Sequence, residues 1–141
     1  MIALDTNVVV AAMVSSASEH SQVLCWLKNN NEPLAIPVSV IGESLRLLTH
    51  PKVFQRPLKL KEALEITNQF ISFYEMSVLD ESPDWWRELN EIADKDPLVR
   101  GNIIFDARIC LCLKFNGVKK IASFDSDLSR FSFVKRLVPD V

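Results

Sequence analysis

The chain has 141 residues, of which 48% are hydrophobic and 24% charged, and its formal net charge is -2 at pH 7. This size suits one domain with a full hydrophobic core, so we expect a single domain over residues 1–141. The absence of a long apolar run or a signal-peptide pattern favours a cytoplasmic location without membrane contact, and the near-neutral charge means that any polyanion must be bound locally.

Short apolar runs alternate with stretches of helical spacing along the whole chain. In chain order, the pattern predicts strand 2–6, helix 7–14, helix 19–30, strand 34–37, helix 40–48, helix 59–73, strand 76–80, helix 83–94, helix 103–115, strand 120–124 and a short strand at 136–138. This alternation indicates an α/β fold, a three-layer α/β/α arrangement with a short parallel sheet.

Capping residues and prolines define the predicted helix ends. Ser39 is a favourable N-cap for helix 40–48, and Pro51 disfavours helix in the residue before it. Pro83 is acceptable in the first turn of helix 83–94.

The first predicted strand contains an unexpected charge. Residues 2–10 read IALDTNVVV, so Asp5 interrupts a run suited to burial. An isolated carboxylate removed from water costs several kcal/mol unless it is paired, hydrogen-bonded or bound to a metal. Asp5 therefore needs a partner.

Further acids lie where an α/β fold builds its ligand sites, beyond the carboxyl ends of the strands. Asp125 and Asp127 follow the strand at 120–124, and Glu43 and Asp106 interrupt apolar faces of their helices. Each acid alone has a structural explanation, as a turn residue or as a charge that favours a helix N-terminus by roughly 0.3–1 kcal/mol. Together, carboxylates about 5 Å apart would repel by roughly 3 kcal/mol per pair, which a bound cation would relieve.

The donor types narrow the choice of metal. Oxygen ligands without histidine or cysteine favour Mg²⁺ or Mn²⁺ over zinc. A calcium loop starting at Asp125 fails, because its sixth residue is Arg130 instead of glycine and its twelfth is Arg136 instead of glutamate. A haloacid-dehalogenase phosphatase is a weak alternative, because Asn7 stands where that class has a second aspartate.

Four segments in order resemble the PIN domain family, and most closely its VapC toxin ribonucleases. They are LDTN at 4–7, Glu43 within IGESLRLLTHPKVF, Asp106 within GNIIFDARI, and SFDSDLSRF at 123–131. The resemblance runs from Met1 to about Pro139. It implies a Mg²⁺-dependent endoribonuclease, usually a homodimer, that a small cognate antitoxin protein inhibits.

The resemblance also implies roles for individual residues. Asp5 and Asp106 would be the principal Mg²⁺ ligands, and Glu43 and Asp125 would complete the catalytic acids. Three further positions match supporting residues of the family's site: Asn7, which would orient Asp5, Ser123 and Asp127.

A basic segment follows Glu43. Between Arg46 and Lys61 the chain carries five basic residues and no acid. Contact with an RNA backbone through Arg46, Lys52 and Arg56 would make binding depend on salt, and a solvated loop is the alternative.

Three functions remain open. The first is a toxin that hydrolyses RNA with a metal-activated water, leaving a 5′-phosphate and a 3′-hydroxyl. The second is a PIN nuclease for RNA processing that has no antitoxin. The third is a PIN-like binding module without catalysis, against which the presence of all four acids counts.

Overall fold

The computed structural model describes residues 1–140, so the last residue of the predicted domain, 141, lies outside the described part. In chain order the elements are β1 (Ile2–Leu4), α1 (Thr6–Met13), α2 (His20–Asn29), β2 (Leu34–Pro37), α3 (Val38–Leu48), α4 (Leu60–Phe73), β3 (Ser77–Leu79), α5 (Trp85–Lys95), α6 (Ile103–Phe115), β4 (Lys120–Ala122), a 3-10 helix (Ser126–Arg130) and β5 (Lys135–Leu137).

The strands form one parallel sheet in the order β3-β2-β1-β4-β5. Ile2, Ala3 and Leu4 of the central strand are all at most 3% exposed. Successive side chains of a strand point to opposite faces, so both faces of the sheet are covered. Helix α1 contacts α2, α3 and α4, helix α3 also contacts α4, and α5 packs on α6. The predicted three-layer α/β fold is confirmed.

Helix α6 contains the longest run of consecutive buried residues of any described helix. Five consecutive residues, Ile109 to Leu113, are buried, whereas Phe105 and Phe115 near the two ends are 60% and 56% exposed. The buried run anchors the helix against the sheet. This fixes the position of its first turn, which holds Asp106.

The predicted strand 2–6 is wrong at its carboxyl end. The strand stops at Leu4, and Asp5 is the N-cap of α1, with extended backbone at φ −80° and ψ 161°. Its carboxylate accepts a hydrogen bond from the backbone N–H of Thr6. A carboxylate oxygen suits this position because it satisfies a free N–H at the start of a helix.

Two predicted helix starts are also wrong. Helix α3 begins at Val38, directly after β2, with Pro37 instead of Ser39 at the N-cap. Proline needs no hydrogen bond from its nitrogen, and its extended backbone ends the strand and starts the helix in one residue. Helix α5 begins at Trp85 with Asp84 as N-cap, so Pro83 precedes the helix.

Strands β3 and β4 are shorter than the predicted 76–80 and 120–124. The residues after Ala122 leave the sheet, which frees their side chains at its carboxyl edge. The predicted fifth strand is confirmed within one residue. Among residues 1–140, the helices lack the length and apolar character that crossing a membrane requires.

Candidate active site

The predicted acids meet in one cavity of about 510 Å³ at the carboxyl edge of the sheet, here called the acidic cleft. Its wall includes five carboxylates: Asp5, Glu43, Asp106, Asp125 and Asp127. They come from the end of β1, from α3, from the first turn of α6, and from the segment after β4. The fold therefore brings together all four predicted catalytic acids and Asp127.

Asp5 is buried, with 6% of its surface exposed. One carboxylate oxygen accepts the Thr6 backbone N–H at 2.8 Å, and the other accepts the Ser123 hydroxyl at 2.6 Å. Burial raises the pKa of Asp5 above its usual value; the two hydrogen bonds oppose this rise, and the charges of Glu43 and Asp125 add to it. The buried Asp5 carboxylate, which was expected to need a partner, is thus held by hydrogen-bond donors, and like charges lie close by.

Ser123 uses its whole hydrogen-bonding capacity to hold the cleft together. Its O–H donates to Asp5, and its oxygen accepts from the Asn7 amide at 3.2 Å and from the Asp125 backbone N–H at 3.0 Å. A hydroxyl has one donor and two acceptor lone pairs, so Ser123 is saturated. It is fully buried, which gives these bonds a fixed geometry.

Asn7 completes the same network. Its amide nitrogen also donates to Asp5 at 3.4 Å, and its amide oxygen accepts the Phe124 backbone N–H at 3.2 Å. The side chain therefore ties the start of α1 to the segment after β4. This position fits the predicted orienting role of Asn7.

Glu43 reaches the cleft from α3. The Thr6 hydroxyl donates to a Glu43 carboxylate oxygen at 3.0 Å. The bond connects helices α1 and α3 beside Asp5.

Asp106, Asp125 and Asp127 form the tightest group of acids in the cleft. Each offers one carboxylate oxygen that lies within 4.8 Å of those of the other two. Burial is the largest of several effects that together raise the pKa of Asp106 to about 7; the others are the charges of Asp125, Asp5, Asp127 and Glu43. Charges this close are costly without a cation.

The donor set fits a hard divalent cation. The convergent ligand atoms are carboxylate oxygens, which Mg²⁺ and Mn²⁺ prefer. The nearby Cys110 thiol is buried, and its pKa is raised by that burial and by the charges of Asp106 and Asp5. Its sulfur is not among the convergent ligand atoms of the described residues, which are all carboxylate oxygens.

The predicted RNA-binding residues separate in space. Arg46 lines the acidic cleft. Lys52 and Arg56 are exposed in the connection between α3 and α4, and Arg56 lines a different cavity, beside Met13 and Phe54. Proximity to the acids supports a role for Arg46, and RNA contact by the other two stays a prediction.

Five further residues that line the cleft were not among the predicted site residues: Thr6, Leu47, Asn102, Phe105 and Ile109. Thr6 lies between Asp5 and Asn7, which were both predicted site residues. This position between them was the sequence signal that could have identified Thr6. Asn102 precedes Asp106 by four residues, the spacing of neighbours on one helix face, and caps α6. Phe105 gave no signal, because the helix around it is apolar on nearly every side.

Comparison with known proteins agrees with this architecture. Ribonuclease VapC24 of Mycobacterium tuberculosis is 28% identical over 127 residues, covering 87% of this chain and 85% of that protein. The solved structure of VapC20 of Mycobacterium tuberculosis, a sarcin-ricin loop cleaving toxin, superimposes with a TM-score of 0.72 at 18% identity over 96% of this chain and 98% of that one.

A second solved structure has the same fold. VapBC2 of Rickettsia felis, bound to a promoter DNA fragment, matches with a TM-score of 0.64 at 20% identity, covering 98% of both chains. The family model of the PIN domain matches residues 2–134. With nearly its whole length matched by that model, this chain belongs to the PIN domain family.

Proposed function

We propose that the protein is a Mg²⁺-dependent endoribonuclease and the toxin of a toxin-antitoxin pair. The observation that carries the proposal is the convergence of five carboxylates in one cleft, with the pKa of Asp106 raised to about 7. Such a cluster is stable in the ionised form only beside a cation. Relatives named as ribonucleases support RNA as the substrate.

Asp5 and Asp106 would be the principal ligands of the metal, as the sequence predicted. Asp125 and Asp127, whose carboxylate oxygens converge with that of Asp106, would be further ligands, and Glu43 would add its charge. Bound Mg²⁺ supplies a Lewis acid that lowers the pKa of water and neutralises charge on the phosphate, and Mn²⁺ can do the same. Ser123 and Asn7 hold the Asp5 carboxylate at the cleft, and Thr6 holds Glu43. Their hydrogen bonds orient the acids before any ligand arrives.

Hydrolysis by water has a chemical signature that differs from attack by the ribose 2′-hydroxyl. Attack by water leaves a 5′-phosphate and a 3′-hydroxyl, whereas attack by the ribose leaves a 2′,3′-cyclic phosphate. End-group analysis of RNA hairpins cut in the presence of Mg²⁺ therefore tests the reaction type. Cyclic phosphate ends, or equal cleavage of DNA hairpins of the same sequence, would contradict the proposal.

The proposal includes a small antitoxin protein that inhibits the enzyme. It is supported by VapBC2, a solved neighbour named as a pair, and by the VapC relatives. Purification of the protein from its native cells tests it: a small protein should co-purify and block cleavage. A nuclease for RNA processing would have no such inhibitor, and a silent binding module would not cleave at all.

Three lesser elements belong to the same proposal. Residues 1–141 act as one nuclease domain, the active form is a homodimer, and the protein works in the cytoplasm, where its RNA substrate is found. Light scattering on the purified protein tests the homodimer, and a monomer mass with full activity would contradict it.

A further inference from the structure

A second cavity opens beside the acidic cleft. It has a volume of about 430 Å³ and lies between the start of α3 and the first turns of α6. This side cavity shares Glu43, Arg46, Phe105 and Ile109 with the acidic cleft. The two cavities therefore adjoin, so that neighbouring parts of one ligand could occupy both.

The walls of the side cavity combine an exposed aromatic ring with an unsatisfied polar group. Phe105, directly before Asp106 in the chain, is 60% exposed, and Val38 opposite is 40% exposed. Ser39 also lines the cavity, and its buried Oγ has no hydrogen-bond partner within residues 1–140. Because a buried hydroxyl without a partner is costly, the site favours a ligand with a complementary polar atom.

Two arginines border this cavity, and they differ in how their charge is matched. Arg108 donates from Nε and Nη2 to Glu81 at 2.7 and 2.6 Å, and its guanidinium lies 4.5 Å from the centroid of the Trp85 ring. Arg46 forms no ion pair with any carboxylate of the described residues. Arg46 is thus a cation available to a ligand.

We propose that the side cavity receives the nucleotide next to the scissile phosphate, with its base stacked on Phe105 and its phosphate facing Arg46. The Ser39 hydroxyl then bonds a polar atom of the base or ribose. Aromatic rings stack on unpaired RNA bases, and arginine binds phosphate. This inference rests on the proposed nuclease function and deepens it by assigning residues that contact the substrate.

A peptide segment is the competing occupant, since Val38 and Phe105 would also suit apolar side chains. A neutral or basic peptide would leave the charge of Arg46 unmatched, and an acidic peptide that paired with Arg46 would lie against the carboxylates of the cleft without a cation of its own. RNA enters such a cleft together with metal ions, which reduce the repulsion. The charge distribution therefore favours a nucleotide.

Two variants alter the cavity with little effect on the fold. Phe105→Ala removes the exposed ring, and Phe115→Ala at the other end of α6, where Phe115 is 56% exposed, is its matched control. Gly42→Leu should narrow the cavity, because Gly42 lines its wall, and a Cβ there would meet no atom within 4 Å and so would not clash. Replacing a helical glycine also improves helix propensity, so loss of folding would not explain its effect.

The probe is a synthetic RNA hairpin whose loop is first randomised to map the cut, then made with an abasic residue at each position flanking it. With the intact hairpin, Phe105→Ala and Gly42→Leu should lower kcat/KM by about 5- to 100-fold, the effect of losing one base stack. One abasic position should cost the wild type a similar factor. The same position should cost Phe105→Ala little more, because the stack is already lost.

The inference would be overturned if, at every flanking position, an abasic residue lowered the kcat/KM of Phe105→Ala by the same factor as that of the wild type. A kcat/KM of Phe105→Ala equal to that of Phe115→Ala would also overturn it. The inference would also be overturned if Phe105→Ala cleaved RNA normally but lost a protein that co-purifies with the wild type, because the side cavity would then bind that protein. Anisotropy of the fluorescent hairpin separates this inference from the proposed function. Hairpin binding that Phe105→Ala weakens, without cleavage by the wild type, would support the cavity and contradict the nuclease; no binding by the wild type would overturn both.

Discussion

The Ser123 hydroxyl donates a 2.6 Å hydrogen bond to the Asp5 carboxylate and so joins the carboxyl ends of β4 and β1. The two residues are 118 positions apart in the chain, and both are buried. The bond, with those from Asn7 and Thr6, makes Asp5 part of a rigid network. The cleft is therefore organised by side chains that need not contact the substrate.

Ser123→Ala tests this positioning. It removes the donor to Asp5 and the acceptor for Asn7 and for the Asp125 backbone. We expect RNA cleavage to slow by about 10- to 100-fold, the usual cost of losing a residue that orients metal ligands. Unfolding in urea should show a loss of about 1–3 kcal/mol, because buried polar groups lose a partner. Ser126→Ala, an exposed serine of the same segment, is the control, and equal rates for the two variants would rule out a positioning role.

The acid triplet of Asp106, Asp125 and Asp127 predicts which variants lose metal affinity. Asp125→Asn and Asp127→Asn should each weaken Mn²⁺ binding by at least about 10-fold in calorimetric titration, because each removes a charged oxygen from the group. Asp80→Asn is the matched control, since Asp80 follows β3 at the same edge of the sheet but does not line the cleft. If Asp127→Asn binds Mn²⁺ as the control does, Asp127 is not a ligand.

The raised pKa of Asp106, about 7 against a usual 3.8, makes the stability of the metal-free protein depend on pH. Between these values the folded protein holds a proton that the unfolded chain releases. This group's contribution to the free energy of unfolding therefore falls as pH rises from about 4 to about 7. Urea unfolding in EDTA should show a shallower decline with pH for Asp106→Asn than for the wild type.

Asp94→Asn, an exposed acid on α5, controls for the change of one charge. Added Mg²⁺ should stabilise the wild type more at about pH 8 than at about pH 5, since the cation replaces the proton. If the free energy of unfolding depends on pH in the same way for the wild type and for Asp106→Asn, the pKa of the Asp106 carboxyl is not raised.

Much of this site was predictable because parallel strands bring their carboxyl ends to one edge. Acids after the first and fourth strands had to converge there, and Asp5 and Asp125 do. The same argument could not identify Phe105 as a residue of the cleft. The helix around Phe105 is apolar on nearly every side, so the sequence does not show which residues face the cleft. Nor could it separate Arg46 from Arg56, whose neighbours in space depend on how a loop leaves its helix.

Local boundaries were less predictable for a different reason. Ser39 has the chemistry of an N-cap, yet the strand before it continues directly into the helix through Pro37. The sheet register of β2 fixes where the helix starts, and this outweighs the capping preference of one serine. Ser39 is left with a buried hydroxyl that no described residue satisfies.

Ser44 offers a stability prediction away from the cleft chemistry. It is fully buried on α3, and its Oγ has no hydrogen-bond partner among residues 1–140. Ser44→Ala removes the unsatisfied group and should raise the free energy of unfolding by about 1 kcal/mol. Thr67→Ala is the comparison: the buried Thr67 hydroxyl donates to the Ala63 carbonyl at 2.7 Å, so its removal should destabilise. A loss of stability in both variants would mean that Ser44 has a partner in solution.

The acidic cleft, as proposed above, is a metal-dependent nuclease site. The most direct measurement is the rate of RNA hairpin cleavage with Mg²⁺ by the wild type and by Asp5→Asn, with circular dichroism to verify that both are folded. We predict that excess EDTA abolishes wild-type cleavage, that Mg²⁺ restores it, and that Asp5→Asn is slower by at least about 100-fold. Equal rates for the two proteins, or undiminished cleavage in EDTA, would contradict the account.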